Sequence, residues 1–153
     1  MFAIKKYCQV FLSFFVLCGL AHTSYAQNSG CPDQAGYAWE VITHRYDALG
    51  SSATSLNLGN DEISNAIPIG FNFTYYSQTY TQVYVSSNGF ITFLRGQNHG
   101  CCSGPTSPAT GGPNGLIAGY WEDLNPNFGG QIRYQNLGNA PNRRLVIDYA
   151  NVP

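Results

Sequence analysis

Charge is scarce in this chain. Only 10% of its 153 residues are Asp, Glu, Lys or Arg, and the formal net charge is −1. A protein that neutralises phosphates needs a basic excess. None exists here, which excludes nucleic acid as a partner. Lysine occurs only at Lys5 and Lys6, so no glycine-rich loop ending in lysine cradles a nucleotide phosphate. No Gly-x-Ser-x-Gly elbow is present to raise a nucleophilic serine. No stretch of a dozen residues holds the i, i+3, i+4, i+7 apolar spacing of a helix free of Gly or Pro. Helical bundles and the common nucleotide-binding folds are thereby set aside.

Long apolar runs are also missing. The best one, residues 10–20, is too short for a membrane span of about 20 residues. It follows Lys5 and Lys6 and precedes Ser24-Tyr25-Ala26, whose small residues stand where a signal peptidase reads. Residues 1–26 therefore read as a secretory signal peptide cut before Gln27. Leu17 stands before Cys18, where a lipoprotein signal has a small residue, which argues against a lipid anchor. After cleavage no span is expected, and five arginines face eight carboxylates.

What the sequence does have is glycine (17), proline (8) and aromatics (14%). This is the profile of a turn-rich β protein. Ile67, Ile69, Phe71, Phe73 and Tyr75 alternate with smaller or polar residues, so five large groups share one face. Residues 79–87 place Val83 and Val85 on one face and Tyr80 and Tyr84 on the other. Residues 89–95 follow. Asn88-Gly89 between them accepts positive φ and predicts a two-residue hairpin turn. Further strands are predicted at 38–46, 116–121, 131–135 and 144–149. The run 116–121 is apolar nearly throughout, as a central strand covered on both faces would be. Together these predict an all-β antiparallel sandwich. The organisation is a signal peptide (1–26), a lead-in with a first strand (27–55) and the sandwich (56–153). Leu145, Ile147 and Tyr149 read as one face of an interior strand, so the sandwich is expected to be incomplete at the C-terminus, with further domains of the same gene product beyond it.

The order of these motifs resembles a known family. Ile69-Gly70-Phe71-Asn72-Phe73, Tyr75-Tyr76, and Val83-Tyr84-Val85-Ser86-Ser87-Asn88-Gly89-Phe90-Ile91-Thr92-Phe93 come first. Gly119-Tyr120-Trp121-Glu122-Asp123, then Gly129-Gly130 and Ile132-Arg133-Tyr134, follow. The series is similar to nidogen-like domains and plexin-domain-containing receptors, and to modules of secreted bacterial surface proteins of the Bacteroidota type. Ser77 stands where such modules often have Gly, and Glu122 where Asp is common. The resemblance implies an extracellular β module for adhesion, recognition or assembly, secreted or on the cell surface, with no catalytic residues. Its partner would be an extracellular protein or a glycan. The alternative is a carbohydrate-binding accessory domain of a larger secreted hydrolase. An enzyme in its own right is a third reading.

Several side-chain groups carry candidate chemistry. Cys31, Cys101 and Cys102 remain after the signal peptide, and an exported chain meets oxidising conditions. A bridge from Cys31 to Cys101 or Cys102 is expected. It would close about 70 residues and contribute about 4 kcal/mol by chain entropy. His99, Cys101 and Cys102 with His44 raise a zinc site, although the usual repeated ligand spacing is missing. Glu122, Asp123 and Asn125 form an oxygen-rich corner that either holds calcium or makes a turn through Asx side chains. Asp61 and Glu62 raise the same question. No other cofactor is expected. Glu122 and Asp123 point to opposite faces if they lie in a strand, which argues against a glycosidase pair. Tyr80 and Tyr84 are the binding-surface candidates, since exposed Tyr stacks on sugars or anchors partners. The loop 96–115, rich in Gly and Pro, is long enough to be functional or to be a surface excursion.

Overall fold

The computed structural model describes residues 2–6, 32–43, 46–101 and 112–153. Two compact units are present, Met1–Tyr46 and Asp47–Pro153.

In the first unit, β1 (Phe2–Lys6) pairs antiparallel with β2 (Tyr37–Val41). The Asp33 carboxylate starts β2 by accepting the N–H groups of Ala35 and Tyr37, each at 2.9 Å. Gly36 supplies the positive φ this turn needs. Apart from Phe2–Lys6, the expected signal peptide lies outside the described residues. So do Cys31 and His44.

The second unit is a sandwich of two antiparallel sheets. β3 (Thr54–Leu56), β8 (Gln131–Leu137) and β9 (Arg144–Ala150) form the three-stranded sheet in the order β3-β8-β9. β4 (Ile67–Tyr75), β5 (Gln78–Val85), β6 (Phe90–Thr92) and β7 (Leu116–Ala118) form a meander in sequence order. The one helical segment among the described residues is a 3₁₀ turn, Pro126–Phe128. No helix among them is long and apolar enough to cross a membrane.

The core lies between the sheets. Ile67, Ile69, Val83, Val85 and Phe93 from one side meet Ile132 from the other, all buried. Phe71, Phe73 and Tyr75 pack against this cluster, so the whole alternating face of β4 does turn inward, as do Leu145, Ile147 and Tyr149 of β9. Alternation works here because β-strand side chains repeat every two residues. Arg133 and Asp148, directly opposite each other on β8 and β9, form an ion pair at 2.6 Å.

Two strand-level expectations are corrected. Residues 116–121 are not a central strand: β7 covers only Leu116–Ala118 and lies at the edge of its sheet. β9 lies at the edge of its sheet among the described residues. Tyr80 does not face away from the valines. Its ring stacks on Phe93 at 4.6 Å and packs against the core. The β4–β5 register shifts between Pro68 and Phe73, around Gly70 at φ +83; β4 keeps its alternation across the shift, whereas β5 loses it between Tyr80 and Val83. Tyr84 is partly buried and lies outside the core cluster.

Tyr149 ties the sheets together. Its hydroxyl donates to the Ser86 carbonyl at 2.6 Å. Burial pushes its pKa well above the ordinary phenol value of 10.0, because the phenolate would be desolvated. The neutral form is thus the one the fold holds. Its contribution is complete below pH 10.0 and is lost as pH rises above that value, where the unfolded chain gives up the proton first. Tyr149→Phe is expected to cost about 1–3 kcal/mol, since the buried Ser86 carbonyl loses its donor. The variant should also show a flatter fall in stability at alkaline pH. Urea unfolding on either side of the phenol pKa checks both.

Candidate functional site

The site grows from the hairpin turn between β5 and β6. Ser86 N donates to Phe90 O at 2.9 Å, so the turn holds three residues, Ser87, Asn88 and Gly89. Gly89 alone of them has positive φ, at +79. This is the three-residue hairpin that ends in a left-handed glycine. It replaces the expected two-residue turn, in which Asn88 also would have had positive φ.

Ser86, Ser87 and Asn88 are polar yet fully buried. Such groups need hydrogen-bond partners, and two neighbouring segments supply most of them. Ser87 N donates to Glu62 O at 2.8 Å, and Ser87 Oγ accepts from Glu62 N at 3.1 Å. An isolated bridge joins Ile63 to Ser86. Ser86 Oγ donates to His99 O at 2.6 Å and accepts Asn88 N–H at 3.1 Å. Asn88 Nδ2 donates to Asp61 Oδ1 at 2.9 Å and to His99 O at 3.3 Å. The turn is therefore a buried polar hub holding residues 61–63 and the His99 carbonyl.

Trp121 closes the corner. Its indole N–H donates to Gly100 O at 2.7 Å, and its ring packs on Phe90 at 4.9 Å. Beyond Trp121 the chain brings Asp123 back toward Asp61. Ligand atoms of Asp61, Cys101 and Asp123 all lie within 4.8 Å of one another. The His99 ring accepts Cys101 N–H on Nδ1 at 3.3 Å and stands 3.4 Å from Asp61. With the ring neutral that nitrogen is an acceptor, so the contact with Asp61 becomes an ion pair only on protonation.

The structure rearranges the sequence-level candidates. Asp123 lies close to Asp61 and Cys101. Asn125 caps the 3₁₀ turn by accepting Asn127 N–H at 3.1 Å, which is the Asx role. Glu122 is outside the three-residue group. The Glu62 carboxylate accepts Gly59 N–H at 2.7 Å. Cys101 is disulfide-bonded, and its sulfur partner lies outside the described residues. Cys102 lies there too, as does the expected Cys31 pairing. A bridged sulfur is not a thiolate ligand, which removes one donor from the zinc reading.

Beside the hub, Phe90, Gly119, Tyr120, Leu124, Ile147 and Val152 line an open apolar recess of about 550 Å³. Tyr120 at its rim is 67% exposed, and Phe128 is 82% exposed. The sequence placed Tyr120 among the aromatics near the hairpin but favoured Tyr80 and Tyr84 as the exposed pair, and nothing local distinguishes Phe128.

These features define an all-β sandwich module whose loops are anchored on a buried Ser-Ser-Asn-Gly turn. Residues 36–153 match the family model described as NIDO related, and the chain belongs to this nidogen-related family. No curated protein and no solved structure matches it.

Proposed function

We propose that this chain is a non-catalytic recognition module of a secreted or cell-surface protein, serving adhesion or assembly. The observation that carries this reading is family membership over residues 36–153. Tyr120 of the recess and the exposed Phe128 support it, because both leave large aromatic rings in solvent. Exposed aromatics of this kind anchor protein partners. The non-catalytic part draws on the hub's chemistry. Ser86 Oγ meets the backbone carbonyl of His99 and not its ring, so this pair lacks the nucleophile–base contact of a hydrolase.

Tyr120 also favours a second reading, a glycan-binding accessory domain, since an exposed Tyr face stacks on sugars. Binding assays on the exported protein separate the two. Immobilised extracellular-matrix proteins test the first and a glycan array tests the second, with Tyr120→Ala and Phe128→Ala as paired variants. Protein binding lost in these variants supports adhesion or assembly. Selective polysaccharide binding lost in Tyr120→Ala supports the accessory reading. Hydrolysis of any arrayed substrate overturns both. Export itself is checked by N-terminal sequencing, which should begin at Gln27.

A further inference from the structure

We propose that Asn114 is a site of spontaneous succinimide formation, at which the folded protein converts this asparagine to aspartate and isoaspartate as it ages. The inference is independent of the recognition reading above. The chain has two Asn-Gly pairs, Asn88-Gly89 and Asn114-Gly115. In such a pair the glycine nitrogen attacks the asparagine side-chain carbonyl, because the glycine has no Cβ to obstruct the approach. At Asn114 the bond from Gly115 N to Cγ forms and the bond from Cγ to Nδ2 breaks. Nδ2 leaves as ammonia, taking the proton that the Gly115 amide gives up. Water then opens the cyclic imide. Attack at the side-chain carbonyl yields aspartate, and attack at the main-chain carbonyl leaves isoaspartate.

The two pairs share this chemistry and differ in surroundings. Asn88 is fully buried. Its Nδ2 is held by Asp61 and the His99 carbonyl, and its N–H by Ser86 Oγ. Gly89 is pressed against the Tyr120 backbone, which leaves no room even for a Cβ. Bringing Gly89 N onto Asn88 Cγ therefore requires the hub to open, and water for the second step is shut out until it does.

Asn114 is exposed and lies outside the sheet, two residues before β7. Its side-chain amide donates to Gly112 O at 3.1 Å, an exposed bond for which water competes. The Gly115 N–H has no acceptor among the described residues, so its deprotonation breaks no hydrogen bond. The product falls on a fastened point. Asn114 N–H donates to Gln97 Oε1, and Asn114 O accepts from Thr92 Oγ1, both at 2.8 Å. Isoaspartate turns that carbonyl into a carboxylate and routes the main chain through the side chain, which lengthens the path from the Gln97 contact to the Phe93–Gly115 bond.

The test incubates the folded exported protein in mildly alkaline buffer, with a urea-unfolded sample beside it. Peptide mapping by mass spectrometry reads amide-to-acid conversion at each asparagine. Methyl transfer by an isoaspartyl methyltransferase reads isoaspartate. In the folded protein Asn114 should convert at least about tenfold faster than Asn88, since Asn88 reacts only when its turn opens. In urea the two should convert at similar rates, because the shared Asn-Gly chemistry then governs both. Methyl uptake by the folded protein should rise with pH, as the Gly115 amide proton must leave. It should fall severalfold in Asn114→Gln, whose longer side chain has to close a larger ring. An Asn114 that stays an amide in the folded protein overturns the proposal. So does folded Asn88 converting as fast as Asn114, the same gap persisting in urea, or methyl uptake undiminished in Asn114→Gln.

Discussion

Gly89→Val is expected to prevent stable folding, with a loss of at least about 4 kcal/mol. Two effects combine. Gly89 sits at φ +79, where a β-branched residue is strained by about 1–3 kcal/mol. More decisively, a Cβ there would stand 1.8 Å from Tyr120 O and 2.8 Å from Tyr120 C. Those are backbone atoms, and they cannot swing aside as a side chain can. The same approach carries the Tyr120 N–H to Gly89 O bond at 3.2 Å. Opening the gap would therefore also break a backbone hydrogen bond. Gly96→Ala is the control. Its φ is +76, yet nothing lies within 4 Å of the added carbon. Only the left-handed backbone is penalised, at about 1–2 kcal/mol. Thermal melts of the two variants should differ widely. Equal shifts would mean that the Tyr120 backbone does not press on the turn.

Phe90→Ala is expected to cost about 3–5 kcal/mol, as large buried aromatics do. Phe90 is 1% exposed. Its ring fills the space between Trp121 and Gly100, where a carbon on Gly100 would already lie 2.5 Å from Phe90 Cε1. Removing the ring leaves a hollow under residues 97–101 as well as a gap beside Trp121. The loss should therefore appear twice. Urea unfolding should report lower stability, and Trp121 emission should shift to the red in the still-folded protein as its indole meets water. A stability loss with unchanged Trp121 emission would place the damage elsewhere.

Much of the sandwich was legible because strand periodicity is a local signal. The alternating face from Ile67 to Tyr75 is core, and the hairpin at Asn88-Gly89 lies between β5 and β6. Legibility stopped where tertiary contacts override the local pattern. Thr54–Leu56 is three residues long, too short to show alternation, and owes its place to pairing with β8. The apolar run from Leu116 suggested burial on both faces. Instead part of it lines the recess and exposes Tyr120. Tyr80 turned inward through an irregular register that no spacing announces. The candidate site was the least legible part. Asp61 and Asp123 meet because Asn88 holds the first, Ser87 holds its neighbour Glu62, and the Trp121–Gly100 bond positions the segment before the second. Asn88 read as a turn residue, and it is one. Its second role as a buried donor depends on partners 27 and 11 positions away.

The anchoring of the chain on either side of residues 102–111 bears on how the module tolerates change. Before that stretch, Ser86 and Trp121 grip the His99 and Gly100 carbonyls. After it, Thr92 Oγ1 holds Asn114 O at 2.8 Å, and Phe93 N–H donates to Gly115 O at 2.9 Å. Gln97 Oε1 then clasps the two banks together by accepting Asn114 N–H at 2.8 Å. The points at which the chain leaves the sandwich after Cys101 and rejoins it at Gly112 are therefore set by bonds from the turn, from β6 and from Gln97, so Gln97→Ala should loosen both banks together.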